Sequence, residues 1–410
     1  MTSPVASPHA EAAPSTTARR VGFRVAAVLL GLALLAAAEL ALVAFDAGRP
    51  DRYDDPYVGF SGVYPLFVRS DDGEQWVTSP ARRALFQPDS FAAEKPADEF
   101  RIFVLGGSTV QGRPYSIPTS FTTWLEIRLN CIDPRRRWQV VNVGGVSYAS
   151  YRLVPLMEEM LTHEPDLFIV YTGHNEFLED RSYAHIKDRP AWWARLTGWM
   201  SRLRSVTLLR RLYGALGGRS SPDAEPSRTV LGPEVDAWLD HPGGLDAYHR
   251  DDAWRRGVIS HFRFNLRRMV DLVQGADVPL VLVNPTSNVR DWAPFKSEHR
   301  AGLSEAQRRR WDEHLARARA QMADDLPGAI EQLRAAARID DQHAGLWFTI
   351  AKCYDGLGDI ERARTAYLKA KDFDICPLRM LEPMHEAVLE VAADTETPLV
   401  DARRLFQLHS

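Results

Sequence analysis

Five short apolar runs constrain the fold of this 410-residue chain more than any other feature. The first four end in turns that contain Gly or Asn-Pro, and the residues between the runs have helical patterns, for example 120–129 and 151–162. Short continuous apolar strands that alternate with helices indicate a parallel sheet covered on both faces. We therefore predict a three-layer α/β/α fold whose strands are residues 101–105, 138–143, 166–171, 278–283 and 398–401.

The serine after the first run is the first candidate for chemistry. Ser108 follows Gly106 and Gly107 at the carboxyl end of a strand, where ligands bind in sheets of this type. A serine on a tight turn at a helix start exposes its hydroxyl beside a backbone N–H. A phosphate-binding loop is an alternative, but residues 107–114 lack the Gly-Lys-Ser/Thr ending. A plain turn with an idle serine is the remaining interpretation.

Two further polar motifs follow the second and third runs. Asn142-Val-Gly-Gly145 ends the second run, and Gly173-His-Asn-Glu176 follows the third. With the Gly-Gly-Ser turn they resemble the first three sequence blocks of the SGNH/GDSL hydrolases, in order and in strand placement. The similarity is to bacterial membrane-anchored members that carry tetratricopeptide repeats. It covers about residues 98–290 and 380–402, and it implies a flavodoxin-like sheet.

The resemblance implies roles for the matching residues. Ser108 would be the nucleophile, and its own N–H, the N–H of Gly144 or Gly145 and the Asn175 amide would form the oxyanion hole. Preorganised donors of this kind each stabilise the developing charge by about 3–4 kcal/mol. Which glycine serves stays open, and Ser147 is an alternative donor. No cofactor and no metal is implied, and a turn-capping role for Asn175 is the competing interpretation.

The base of this family is a His in an Asp-x-x-His segment after the last strand. Few residues follow Asp401, and none of them forms this segment. The two Asp-x-x-His strings of the chain, 246–249 and 340–343, lie before that strand, and Asp340 is typical of a turn. We expect a truncated chain whose Asp and His lie beyond Ser410, and which is nearly inactive because the serine is not activated. A natural, degenerate hydrolase kept as a scaffold is the alternative.

The N-terminus predicts a membrane anchor. Residues 1–20 are rich in Ala, Ser, Pro and Thr and should form a disordered cytoplasmic tail. Residues 21–45 contain an apolar run long enough to span a bilayer, with arginines on its N-terminal side. We expect a single pass through the cytoplasmic membrane with the rest of the chain outside it, in the periplasm. Glu39 within the run would be tolerated near its outer end.

The remaining chain divides by composition. Residues 46–95, rich in Pro and Asp, read as a tether with short ordered pieces, and residues 96–300 as the hydrolase-like domain with a helical insertion at about 180–255. The basic, Trp-containing start of this insertion indicates a solvated hairpin or a surface near lipid. Residues 303–378 resemble tetratricopeptide helices, since Ala329, Leu333 and Ala336 recur as Ala363, Tyr367 and Ala370 after 34 residues. Residues 379–410 return to the hydrolase domain.

Charge and cysteine content limit the remaining functions. The net charge of -4 provides no basic field for nucleic acid, and three widely spaced cysteines form neither a disulfide framework nor a zinc pattern. We predict an anchored serine esterase or acylhydrolase that acts on an ester or an acylated envelope substrate. A non-catalytic scaffold that binds a protein partner through the repeat helices is one alternative, and polysaccharide O-acetyl transfer is another.

Overall fold

The computed structural model describes part of the chain and divides it into two compact units. One unit comprises Met1–Pro56 and Pro190–Ser227, and the other Tyr57–Arg189 and Arg228–Ser410. Residues 1–15 of the predicted tail and most of the predicted insertion at 180–255 lie outside the described residues. The described residues are 16–45, 47, 62–63, 65–115, 117–178, 204–205, 208, 230–231 and 243–409.

The first unit contains the helix α1 (Thr16–Ala44). It begins inside the segment that was expected to be disordered. The carboxylate of Glu39 accepts hydrogen bonds from the backbone N–H groups of Arg204 and Ser205. Across the part of the chain that the structure describes, no helix combines the length and the apolar character needed to cross a membrane.

The described residues of the second unit form eight numbered strands and ten numbered helices. The strands are β1 (Phe67–Arg69), β2 (Gln75–Thr78), β3 (Ser90–Ala92), β4 (Glu99–Gly106), β5 (Arg137–Gly144), β6 (Leu167–Tyr171), β7 (Leu280–Asn284) and β8 (Leu399–Asp401). The helices are α2 (Ser108–Gln111), α3 (Phe121–Ile132), α4 (Ser150–Met160), α5 (Asp252–Gln274), α6 (Glu305–Gln321), α7 (Leu326–Ile339), α8 (Ala344–Gly356), α9 (Ile360–Asp372), α10 (Glu382–Asp394) and α11 (Ala402–His409). A two-residue ladder also pairs Gly62–Val63 with Val230–Leu231.

The five apolar runs form one parallel sheet, as predicted. Its strand order is β8-β7-β6-β4-β5, and every neighbouring pair is parallel. Counted within this sheet the order is 2-1-3-4-5, which is the flavodoxin-like order. The register pairs Gly106 with Gly144 on one side and with Tyr171 on the other. The turns that follow β4, β5 and β6 therefore start at the same level of the sheet.

Side chains alternate between the two faces of the sheet along each strand, and helices cover both faces. Phe103 and Leu105 of β4 face a large apolar cluster that includes residues of α4, α5 and α10. Ile102 and Val104 face a smaller cluster that α3 covers with Leu125 and Leu129. Full burial of one such side chain stabilises the fold by about 1.5–3 kcal/mol. The two clusters make this an α/β fold with helices on either side of a parallel sheet.

Residues 65–95 are more extensively folded than the expected tether with short ordered pieces. The strands β1, β2 and β3 form an antiparallel sheet in the order β1-β2-β3. Phe67, Phe86 and Phe91 are buried in the large cluster of the main domain. The segment is rich in proline and aspartate, which suggested a tether. The three buried phenylalanines nevertheless attach it to the core.

The four helices α6 to α9 form a separate apolar cluster, and the helical character of residues 303–378 is confirmed. Buried small residues such as Ala329 and Ala363 lie where the helices meet. Ser304 caps α6 with a reciprocal capping box, and Asp325 and Asp359 accept N–H bonds at the starts of α7 and α9. The assignment of these helices to tetratricopeptide repeats stays a prediction.

Substitution of Gly144 tests the packing of α2 on the sheet. A Cβ atom there would lie 2.2 Å from the backbone nitrogen of Gln111. We expect Gly144→Ala to lower the free energy of unfolding by about 1–3 kcal/mol, because two backbones must move apart. Urea unfolding followed by tryptophan fluorescence measures this change.

Gly275→Ala is the matched control for Gly144→Ala. Gly275 has helical backbone angles, with φ -66°, and a Cβ would meet nothing closer than 3.3 Å. The control should change stability by less than about 1 kcal/mol. Equal effects of the two substitutions would contradict the close packing of α2.

Candidate active site

A cleft lies at the carboxyl ends of the parallel strands. Its volume is about 490 Å³. Ser108, Ser147, His174 and Asn175 line it together, from the loops after β4, β5 and β6. The structure therefore brings the predicted serine and asparagine to one site at the point where the strand order reverses, which is where flavodoxin-like sheets bind ligands.

Ser108 is the first residue of the short helix α2, and Asn142 fixes this helix. The Asn142 amide donates to the carbonyl of Val110 (2.7 Å) and to the hydroxyl of Thr122 (2.9 Å). Its oxygen accepts the N–H of Gly144 (2.9 Å). Asn142 is buried, so each of these bonds is protected from water. One side chain thus joins the end of β5 to the helix that carries the serine.

Asn175 approaches Ser108 because Gly107 has no side chain. A Cβ atom on Gly107 would lie 2.4 Å from Nδ2 of Asn175. The same Nδ2 donates to the carbonyl of Tyr148 (3.1 Å), which uses one of its two hydrogens. Within the described residues the second hydrogen has no acceptor, and Asn175 lines the cleft, as an oxyanion donor requires.

The two glycines predicted for the oxyanion hole do not offer their N–H groups. The N–H of Gly144 is bonded to Asn142, and that of Gly145 to the carbonyl of Gly106 (3.0 Å). Both donors hold the end of the sheet together. This corrects the expectation for Gly144 and Gly145, whose contribution is close packing instead.

Ser147 has the geometry that the glycines lack. It lines the cleft, and its φ of 61° places it in the left-handed region, which few non-glycine residues occupy. Within the described ranges, no acceptor is bonded to the N–H of Ser147 or of Ser108. Two backbone donors and the Asn175 amide therefore remain for a negatively charged oxygen.

Glu176 holds the Asn175 loop against α4. Its carboxylate oxygens accept the N–H and the hydroxyl of Ser150, each at 2.8 Å, at the start of a helix, where a negative charge is stabilised. Glu176 is fully enclosed. Burial raises the pKa of its carboxyl to about 7, while the bonds from Ser150 oppose this shift.

His174 also lines the cleft, but its hydrogen bonding does not suit a base. Its Nδ1 accepts the backbone N–H of Met380 (3.2 Å), so the neutral ring carries its proton on Nε2. Burial is the main reason that the pKa of His174 is lowered to about 4, and the positive charge of Lys371 adds to the same shift. The ring is therefore neutral near pH 7 and can donate from Nε2.

The two Asp-x-x-His strings lie away from this cleft. His249 bonds to Glu298 (3.0 Å), and His343 accepts an N–H at the start of α8. Asp340 accepts the N–H of Gln342 (3.0 Å), as expected for a turn residue. Of the described residues that line the cleft, His174 is the one histidine.

The opposite wall of the cleft consists of residues to which the sequence had assigned no role. Thr286, Ser287 and Trp292 reach it from the loop after β7, and Arg379 from the segment before α10. The position of Thr286 and Ser287 just after a strand was a usable signal, but nothing in the sequence marked Arg379. The guanidinium of Arg379 donates to the carbonyl of Trp292 (2.6 Å) and lies 3.6 Å from Asp374.

In the part of the chain open to description, no group of three or more His, Cys, Asp or Glu side chains could hold a metal ion. The chemical groups of the cleft are hydroxyls, amide and imidazole donors, the guanidinium of Arg379 and apolar walls.

Comparison with known proteins finds matches among solved structures but not among family models or curated sequences. No family model matches the chain, and no curated protein matches it. AlinE4, an SGNH-hydrolase family esterase, aligns with 13% identity and a TM-score of 0.25, over 47% of this chain and 63% of that one. The lipase/acylhydrolase from Enterococcus faecalis aligns with 11% identity and a TM-score of 0.30, over 75% of this chain and 79% of that one. The chain thus spans less than two thirds of AlinE4, and similarities at these TM-scores assign it no activity.

The buried carboxyl of Glu176 predicts a pH-dependent stability. Its pKa is about 7 in the folded chain and 4.5 by its ordinary value, so the folded state holds a proton that the unfolded state has released between these values. Stability should therefore fall as pH rises through this window and level off above it. Glu176→Gln cannot ionise and should remove this component, which amounts to at most about 3 kcal/mol.

Urea midpoints of the wild type and Glu176→Gln at pH 5 and pH 8 measure the effect. Glu386→Gln, an exposed position on α10, is the control and should retain the pH dependence of the wild type. An unchanged difference between the two pH values in Glu176→Gln would contradict the assignment to Glu176.

Proposed function

We propose that this chain is a serine hydrolase of the SGNH/GDSL type, which cleaves acyl esters through an acyl-Ser108 intermediate. One observation carries the proposal. Ser108 at the start of α2, Ser147 and Asn175 line one cleft at the carboxyl edge of the sheet, and no described acceptor is bonded to the N–H of Ser147. The resemblance of the three sequence motifs to this family supports the same assignment.

The reaction would proceed in two displacements. The Ser108 oxygen forms a bond to the acyl carbon, and the carbonyl π electrons move onto the carbonyl oxygen. The N–H groups of Ser108 and Ser147 and the amide of Asn175 stabilise this oxyanion, each by about 3–4 kcal/mol. The alkoxide leaves with the proton that Ser108 gave up, and water then cleaves the acyl-Ser108 ester.

The proton of Ser108 requires an acceptor that the described residues do not place there. His174 has its proton on the ring nitrogen that is not engaged by Met380, so it acts as a donor. The proposal therefore includes a general base beyond the described residues of the cleft. Without a base, oxyanion stabilisation and binding alone leave about 10³–10⁴-fold catalysis over water.

The proposal also includes the cellular location, the substrate and a protein partner. The apolar segment at residues 21–45 and its N-terminal arginines support a single-pass anchor in the cytoplasmic membrane, with the catalytic cleft in the periplasm. An ester or an acylated envelope component would be the substrate. Helices α6 to α9 would form a tetratricopeptide-like surface for a protein partner.

Free imidazole tests the role of Ser108. Added imidazole can accept the serine proton in solution, so hydrolysis of p-nitrophenyl acetate by the full chain should rise with imidazole concentration above the reaction without protein. In Ser108→Ala this protein-dependent rise should disappear, and Asn175→Ala should reduce it by about 10²–10³-fold. Release of p-nitrophenolate measures the rates.

Thr109→Ser is the matched control, because it keeps a hydroxyl in the cleft next to the proposed nucleophile. It should respond to imidazole like the wild type. Equal imidazole-dependent rates in the wild type and Ser108→Ala would end the case for Ser108. A scaffold function would then be the better assignment.

Cys131 tests the proposed location. It is exposed, whereas Cys353 and Cys376 are buried. In cells with a permeabilised outer membrane, a membrane-impermeant maleimide should label Cys131 of the folded chain, because the domain would lie outside the cytoplasmic membrane. Cys131→Ser should abolish the labelling. Labelling that begins only after the cytoplasmic membrane is broken would contradict a periplasmic domain.

A further inference from the structure

The outward side of α3 carries large apolar side chains. Each residue of a helix turns by about 100°, so Phe121, Trp124, Ile127, Arg128 and Cys131 lie within about 120° of its circumference. We call these five residues the α3 face. All five are exposed, and Trp124 and Ile127 are 58% and 47% exposed. A surface helix usually directs one apolar stripe at the core and a polar side at water, whereas α3 has apolar side chains on both sides.

The charge of the α3 face is positive. The helix contains two charged residues, Glu126 and Arg128. The carboxylate of Glu126 is turned to the sheet, where it accepts the N–H of Val140 (2.7 Å). Arg128 is exposed and forms no ion pair with a carboxylate of the described chain. Arg136, just beyond the end of the helix, is also exposed. A partner of this face must therefore accept apolar side chains and positive charge together.

An anionic bilayer surface meets both requirements. Tryptophan and arginine settle where lipid headgroups meet acyl chains, because each has an apolar body and a polar end. A second copy of the chain fits less well. Arg128 lies near the middle of α3, so two copies joined at this face would bring like charges together with no acid on the face to pair them.

The α3 face extends to the edge of the cleft that contains Ser108. The ring centre of Phe121, the first residue of α3, lies 5.9 Å from that of Tyr171. Tyr171 lies 6.4 Å from the ring of His174, and its hydroxyl oxygen accepts the N–H of Thr286 (3.4 Å). Both His174 and Thr286 line the cleft. A bilayer against α3 would therefore lie beside the cleft, with two aromatic rings between them.

We propose that the α3 face docks on an anionic phospholipid bilayer, with Trp124 and Ile127 among the headgroups and Arg128 at the lipid phosphates. Such binding combines buried apolar area with attraction to anionic lipid. The contact is reversible, so it slows the labelling of Cys131 by an external maleimide without preventing it. For the substrate the proposal rests on the proposed function, since the ester cleaved at Ser108 would be an acyl ester of a lipid from the same bilayer.

A nitroxide on Cys131 tests the contact, because Cys131 belongs to the α3 face and the other two cysteines are buried. The proposed anchor would hold the full chain in any vesicle, so the depth of α3 is measured instead of binding. Power-saturation EPR compares collisions of the nitroxide with oxygen, which concentrates in the bilayer, and with a water-soluble nickel chelate. In vesicles of equal parts phosphatidylglycerol and phosphatidylcholine, the oxygen-to-nickel ratio should be about threefold higher than in pure phosphatidylcholine, because anionic lipid attracts arginine.

Variants of exposed residues separate the apolar and charged contributions. Trp124→Ser/Ile127→Ser should lower the ratio at Cys131 in the anionic vesicles to its value in pure phosphatidylcholine. Arg128→Gln should reduce the difference between the two lipids. Leu389→Ser is the matched control, because Leu389 is an apolar residue on α10 that is 39% exposed, and it should leave the ratio unchanged.

Three outcomes would overturn the docking. These are equal ratios in the two lipids, a ratio in the double variant equal to that of the wild type, and dipolar broadening between Cys131 nitroxides at a low ratio of protein to lipid, which would place two copies face to face. Ser108→Ala should dock like the wild type. Docking together with absent imidazole-dependent hydrolysis would disprove the esterase and leave the membrane contact intact, and hydrolysis without docking would do the reverse.

Discussion

The close contact between α2 and the end of β5 is the constraint on which the site depends. Gly144 brings its backbone so near to Val110 and Gln111 that a Cβ atom would overlap them. Asn142 closes the same contact with bonds to Val110 and to Gly144 itself. Gly144 allows the close approach and the buried amide of Asn142 provides the hydrogen bonds. Together they determine the distance between α2 and the sheet. The Ser108 hydroxyl is thereby fixed relative to the sheet before any ligand arrives.

Strand register extends this constraint to the other motifs. Gly106 is paired with both Gly144 and Tyr171, so the three loops leave the sheet side by side. Gly107 then lets Asn175 come against the serine turn. Glu176 ties the far end of the same loop to Ser150 at the start of α4. The site is thus held by backbone packing and buried polar bonds, both of which resist reorganisation.

The strands and the convergence of their loops were predictable, because apolar runs and the polar residues after them follow directly from the chain order. The oxyanion donors were not. A sequence shows that Gly144 and Gly145 have N–H groups, but the partner of each N–H depends on register and on one asparagine side chain. The segment at residues 65–95 was mistaken for a tether because composition outweighed three aromatic residues whose burial is a tertiary property. Arg379 enters the cleft from far along the chain, and spacing in the sequence carries no such information.

The sheet supports α2 mainly at one end. Gly144 meets its backbone at Gln111 and Val110 rather than at Ser108. Because the helix has only four residues, support at its C-terminal end also positions the end that carries Ser108. Ser108 itself is left to line the cleft at the carboxyl edge of the sheet, so the contact that fixes the helix does not occupy the residue at which chemistry is expected.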